Sequence, residues 1–118
     1  MTFNTYMNYA IEEAKRAFGR GEVPIGAVII DQFGTILSKE GNRTRELNDP
    51  TAHAEILAIR KACDELKNQR LTNCSMYVTL EPCPMCAAAI SNARISKLFF
   101  GVEDYKSGGV YNLSLIHI

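Results

Sequence analysis

Met76-Tyr77-Val78-Thr79-Leu80-Glu81-Pro82-Cys83-Pro84-Met85-Cys86 reads as a strand running into a helix, with two cysteines at the junction. Residues 76–80 are short, apolar and rich in β-branched and aromatic types, the composition of a buried strand. Pro84 suits the first position of a helix, where no backbone donor is needed, and that helix is expected to run to about Ser91. Lys97-Leu98-Phe99-Phe100-Gly101 then returns as another strand. Strand, helix, strand points to a layered α/β sheet whose crossover carries the Cys-x-x-Cys pair.

Upstream, Asp49-Pro50-Thr51 is a helix start signal with Thr51 able to cap, and Ile56, Ile59, Cys63 and Leu66 form one apolar stripe along the helix that follows. His53 and Glu55 fall in its first turn. Before it, Val23 to Ile30 and Thr35 to about Lys39 read as two strands joined at Asp31-Gln32-Phe33-Gly34, a hairpin. From Phe3 to Phe18, apolar residues recur at three- and four-residue steps with Glu12, Glu13, Lys15 and Arg16 on other faces, an amphipathic first helix closed by Gly19-Arg20-Gly21.

His53 with Cys83 and Cys86 supplies one imidazole and two thiols. Three such ligands leave the fourth position of a tetrahedral zinc open to water, which suggests catalysis rather than structure. Glu55, two residues from the histidine, is then the candidate proton carrier. On a regular helix positions two apart point to nearly opposite sides, so His53 and Glu55 converge only if the first turn curls around the site. A Cys-x-x-Cys taken alone also fits a redox pair or half of a structural zinc site. A structural site needs a fourth ligand, and Cys63 on the apolar stripe, Cys74 in a turn and His117 near the end of the chain are poor choices for it. Glu81 is read as orienting its loop.

The bulk numbers bound the answer. A chain of 118 residues, 47% hydrophobic, is enough for one compact domain. A formal net charge of zero gives no broad polyanion footprint. No stretch approaches the roughly 20 apolar residues of a membrane span, and the amino terminus lacks the pattern of a secretory signal. The protein is expected to be soluble and cytoplasmic, with no membrane partner and with its four cysteines as thiols or metal ligands.

His53-Ala54-Glu55 with Pro82-Cys83-Pro84-Met85-Cys86 resembles the signature of the zinc-dependent nucleobase and nucleoside deaminases. Around it, Glu22 to Val28, Asp49 to Glu55, Tyr77 to Cys83 and Ala93-Arg94-Ile95 resemble the bacterial tRNA-specific adenosine deaminases. The resemblance implies a three-layer α/β/α cytidine-deaminase-like fold, a mixed sheet with helices on both faces. It implies one Zn2+ per chain on His53, Cys83 and Cys86, with Glu55 as the proton shuttle. It implies hydrolytic conversion of adenosine to inosine at the wobble position, a tRNA anticodon loop as partner, and a homodimer. Asn42 resembles a base-contacting asparagine and Gly26-Ala27 a pocket floor. Ala54 is carried over with them as a substrate-binding position, and Asp104 resembles an acidic residue that contacts flanking nucleotides. Arg43, Arg45, Arg94, Lys97 and Lys106 are available for phosphates. Free-guanine deaminases share the same metal motif, so a small-base deaminase is the alternative; a dithiol redox protein and a structural zinc module are the alternatives outside that chemistry.

The resemblance covers about Tyr6 to Val110, so residues 1–110 are read as the catalytic domain. Residues 111–118 are expected to be an irregular tail, truncated or non-native, in place of the C-terminal helix usual in that family.

Overall fold

A computed structural model describes residues 2–101 and 114–117 of the chain. Helix α1 spans Thr2–Gly19, strands β1 and β2 Gly26–Ile30 and Ile36–Gly41, and helix α2 Ala54–Leu66. Strand β3 (Ser75–Val78), helix α3 (Pro84–Asn92), strand β4 (Lys97–Phe100) and strand β5 (Ser114–His117) follow. The sheet order is β2-β1-β3-β4-β5. β3 and β4 run parallel, with α3 as the crossover such a pair requires, and the other neighbours are antiparallel.

Side chains that alternate along each strand sort the core into two layers. Ala27 and Ile29 of β1, Met76 and Val78 of β3, and Leu98 and Phe100 of β4 pack with Ala54, Ala58 and Ala62 of α2 and Ile90 of α3. The intervening Val28, Ile30 and Tyr77, with Phe99 partly buried beside them, pack with Met7 and Ala10 of α1. This is the expected three-layer α/β/α arrangement, with α1 on one face and α2 and α3 on the other.

The β1–β2 turn is built by Asp31, whose Oδ1 accepts from the Phe33 and Thr35 N–H groups at 2.9 Å each, with Gly34 at φ +86. At the other end of the hairpin, Gly26 and Gly41 are cross-strand partners. A Cβ on Gly26 would lie 2.0 Å from Ala10 O and 2.7 Å from Ala14 N; one on Gly41 would lie 2.8 Å from Glu13 O. The two glycines form a notch that receives the backbone of α1, whose facing residues are the buried Ala10, Ala14 and Ala17.

Three expectations are corrected. Helix α2 begins at Ala54, not Thr51: Thr51 instead donates from its N–H and hydroxyl to Asp49 Oδ1, at 2.9 and 2.7 Å, and stays in the preceding turn. The buried face of α2 is the alanine row Ala54, Ala58 and Ala62, while Ile59 and Cys63 are only partly buried and Leu66 is exposed. Small side chains let the helix axis come close to the sheet, which moves the larger ones to its flanks. Finally, residues 114–117 of the expected irregular tail are strand β5, pairing with β4 from Lys97↔His117 to Phe100↔Ser114. An open sheet edge is a row of unpaired backbone donors and acceptors and captures a β-prone segment readily. No helix follows α3 among the described residues.

Since the atoms facing Gly26 are backbone, Gly26→Ala is expected to destabilise the fold by about 2 kcal/mol, whereas Gly19→Ala, with open space around the new methyl, is not. Urea unfolding of both variants checks this; a Gly26→Ala protein as stable as wild type would contradict the notch.

Candidate metal centre and active site

The site forms where two helices of the same layer begin. His53 is the N-cap of α2 and Cys83 the N-cap of α3, both with extended backbone (φ −76, ψ 154 and φ −72, ψ 170). Pro84 occupies the first turn of α3 as expected, and the Ala87 N–H donates to Cys83 O at 2.8 Å. The extended conformation of His53 removes the geometric conflict with Glu55: the imidazole leaves from the chain before the helix starts, so the two side chains are not bound to opposite helix faces.

His53 Nδ1 lies 3.7 Å from Cys83 Sγ and 3.4 Å from Cys86 Sγ, and the three atoms all lie within 4.8 Å of one another. A tetrahedral zinc with ordinary bond lengths requires N···S edges of about 3.6 Å, so the donor set fits the ion and leaves one corner free. Among the described residues no other group of histidine, cysteine and carboxylate side chains converges in this way. Cys63 and Cys74 lie outside the cluster, their thiols pushed up by burial. His117 lies in β5.

Glu55, in the first turn of α2, is 3% exposed, and its buried Oε1 has no hydrogen-bond partner among the described residues. Burial pushes its carboxyl above the usual range, opposed by its own backbone N–H, by His53 and by Cys86. A carboxyl held this way can take and return a proton. Protein groups push the Cys86 thiol up as well, through burial first, then the Glu55 charge and Cys83. A divalent cation inverts that balance, since a coordinating thiol is deprotonated outright, and the N-termini of both helices favour negative charge at the same place.

His53 makes no side-chain cap to α2. The cap comes from β2: Asn42 Oδ1 accepts from the Ala54 N–H at 2.8 Å, in a buried contact. Asn42 is itself set by its N–H donating to Ile25 O at 3.2 Å. Asn42 therefore stands at the start of α2, bonded to the residue that follows the ligand His53. Ala27 and Ala54 are fully buried in the core layer between the sheet and α2. At Gly26 the space its missing side chain leaves is taken by α1, and its N–H donates to Thr79 Oγ1 at 3.1 Å. Asp104 and Lys106 lie outside the described residues.

The basic candidates separate. Arg43 and Arg45 sit in the turn after Asn42, where Arg43 pairs with Glu46 at 2.7 Å and Arg45 donates to Gly21 O at 3.0 Å. Arg94 and Lys97 lie at the opposite end of the sheet, where Lys97 is level with Ser75 and Ser75 with Ile30. Two positions carry structural duties at the site that no local pattern announces. Thr79 and Glu22 act on backbone far away in sequence, Gly26 for the first and Arg45 and Glu46 for the second.

Comparison with known proteins agrees with the geometry. The tRNA-specific adenosine deaminase of Agrobacterium fabrum is 56% identical over 105 residues, covering 89% of this chain and 68% of that protein. That of Aquifex aeolicus is 51% identical over 108 residues, 92% and 71% of the two chains. A solved structure from work on A-to-I editing by tRNA:A34 deaminases superposes with a TM-score of 0.83 at 55% identity, over 87% of this chain and 74% of that one. The guanine deaminase of Bacillus subtilis superposes with a TM-score of 0.85 at 39% identity, over 95% and 73%. The pattern of the cytidine and deoxycytidylate deaminase zinc-binding region matches residues 2–102, which contain His53, Glu55, Cys83 and Cys86. The chain thus belongs to the zinc-binding cytidine and deoxycytidylate deaminase family, alongside the tRNA-specific adenosine deaminases.

Proposed function

We propose that this protein converts adenosine to inosine at the wobble position of tRNA by zinc-dependent hydrolytic deamination. The observation that carries the chemistry is the meeting of His53 Nδ1, Cys83 Sγ and Cys86 Sγ beside the buried Glu55, whose Oε1 has no hydrogen-bond partner among the described residues. The substrate is argued from the relatives: the adenosine deaminases share 56% and 51% of aligned residues, against 39% for the guanine deaminase.

His53, Cys83 and Cys86 hold the ion, which when bound acidifies a coordinated water toward neutral pH. Glu55 accepts a proton from the attacking water and delivers it to a ring nitrogen of the adenine. It then takes the second proton, from the new C6 hydroxyl, and passes it to the departing amine. The C6–N bond breaks, a C6–O bond takes its place, and ammonia leaves. Asn42 is the base contact: with Oδ1 committed to the Ala54 N–H, its Nδ2 is the group it offers an acceptor on the ring edge. Ala54 and Ala27 support that wall, and Asp104 is retained as a contact to flanking nucleotides. The target nucleotide must leave its stack to enter the site, with Arg43 and Arg45 nearest for phosphates.

A homodimer follows from the resemblance. Leu47 in the turn after Asn42 and Met85 beside the ligand cysteines are exposed apolar side chains near the site, suited to an interface. A monomer by sedimentation at micromolar concentration would remove this part of the reading.

Two kinds of substitution separate the roles. Cys83→Ser and Cys86→Ser are each expected to lose the roughly one zinc per chain that three ligands and a water hold. Glu55→Ala is expected to keep it while turnover falls by about 10²- to 10⁴-fold. Metal analysis with single-turnover assays checks both; full zinc in both serine variants, or near-normal turnover in Glu55→Ala, contradicts the assignment. The substrate is tested by assaying tRNA with a wobble adenosine and free guanine side by side. Inosine in the tRNA is expected, and consumption of guanine alone would replace this reading with small-base deamination, which the Bacillus subtilis superposition makes the specific rival.

A further inference from the structure

The segment from Asn42 to Asp49, between β2 and α2, contains one helix-like turn. In it the Leu47 N–H donates to Arg43 O at 3.0 Å, the Asn48 N–H to Arg45 O at 3.3 Å and the Asp49 N–H to Thr44 O at 3.0 Å. The amides at the head of such a turn have no carbonyl partner within it. Here those amides belong to Arg45 and Glu46, and the acceptor comes from the α1–β1 connection: Glu22 Oε2 takes the Glu46 N–H at 2.8 Å and Oε1 the Arg45 N–H at 3.2 Å. The Thr44 hydroxyl adds a longer contact to Oε1 at 3.4 Å. Glu22 is 4% exposed, a burial that neither metal binding nor proton transfer explains.

Glu22 is anchored in turn, its N–H donating to Ala17 O at 2.9 Å at the end of α1. Arg20 works from the same connection. Its Nη2 donates to Asn42 O at 3.1 Å and its Nε lies 3.7 Å from Glu46 Oε1. The far side of the clamped turn meets the site: the Arg43 N–H donates to Ala52 O at 3.0 Å, and Asn42 Oδ1 holds the Ala54 N–H. Burial pushes the Glu22 carboxyl up, but the Glu46, Arg45 and Thr44 hydrogen bonds and the Arg20 charge outweigh it and hold the carboxyl below the usual range. The acceptor form is therefore the one present at neutral pH.

We infer that Glu22 is a positioning residue for the substrate: its buried carboxylate clamps the Thr44–Glu46 turn and so keeps the Asn42 side chain aligned on the base. The substrate half rests on the deamination reading above, while the clamp itself does not. Without the carboxylate, the Arg45 and Glu46 amides lose their protein acceptor and the turn that carries Asn42 is free to shift. Misplacement on the order of 1 Å costs about 10²-fold in an oriented reaction.

The test uses the zinc-loaded full chain as wild type, Glu22→Ala, Glu22→Gln and, as a control on the exposed side of α2, Glu65→Ala. In the wild type, the Arg45 and Glu46 amides are expected to exchange slowly with deuterium. In Glu22→Ala they are expected to exchange fast, with zinc content unchanged, and kcat/KM on wobble-adenosine tRNA is expected to fall about 10- to 100-fold. Glu22→Gln, which keeps one carbonyl acceptor and turns the other oxygen into a donor, is expected to lie between, and Glu65→Ala to match wild type. Fast exchange of the two amides in wild type overturns the clamp without any variant. Unchanged kcat/KM in a folded, zinc-loaded Glu22→Ala overturns the substrate role, and if that variant does not fold, Glu22→Gln is judged by the same readouts. Slow, Glu22-dependent exchange in a protein inactive on tRNA supports the clamp and overturns the deamination reading instead.

Discussion

The hydrogen bond from the Ala54 N–H to Asn42 Oδ1, at 2.8 Å, is the contact through which the sheet governs the chemistry. The first turn of a helix has backbone donors with no internal acceptor, and His53, standing at the N-cap, provides none from its side chain. Leaving a buried donor unpaired costs about 1–3 kcal/mol. By supplying the acceptor, Asn42 frees the His53 imidazole to turn toward the cysteines. One side chain at the end of β2 thus lets the residue that would ordinarily cap the helix serve as a metal ligand.

That contact depends on where the hairpin ends sit, which α1 decides. Gly26 and Gly41 are paired across the strands, and the backbone of α1 fills the notch above them. Asn42 follows Gly41 directly and is bonded to Ile25 through its N–H. Across the sheet, the alanine row of α2 brings the ligand-bearing helix close to β1 and β3. The site is therefore held between two close helix–sheet contacts, both made possible by residues with little or no side chain. The same compactness buries Glu55 and raises the affinity of its carboxyl for a proton.

Much of the architecture could be read locally. The strand-to-helix passage through Val78, Pro84 and Cys86, the hairpin around Gly34 and the amphipathic first helix all emerge within a residue or a few of the expected places, because period, turn chemistry and proline position act over short distances. The errors share a cause as well. Thr51 has the side chain of a cap, yet Asp49 engages it and Asn42 caps instead. Ile56 to Leu66 has the spacing of a buried stripe, yet the sheet accepts the alanines between them. In each case a partner from elsewhere in the chain outbid the local preference.

The sequence by itself determined the zinc donor set: one imidazole and two thiols at helix starts, with a carboxylate two residues from the histidine. It also determined the layered α/β class, because alternation and capping are written residue by residue. Only the tertiary structure decided that His53 leaves its helix in an extended conformation and that Arg43 and Arg45, rather than Arg94 and Lys97, stand at the site end of the sheet. It alone showed Glu22 holding the turn that carries Asn42. The physical reason is distance along the chain: these arrangements rest on hydrogen bonds and close backbone contacts between segments that no local pattern relates, and the orientation of each partner exists only once the sheet has brought them together.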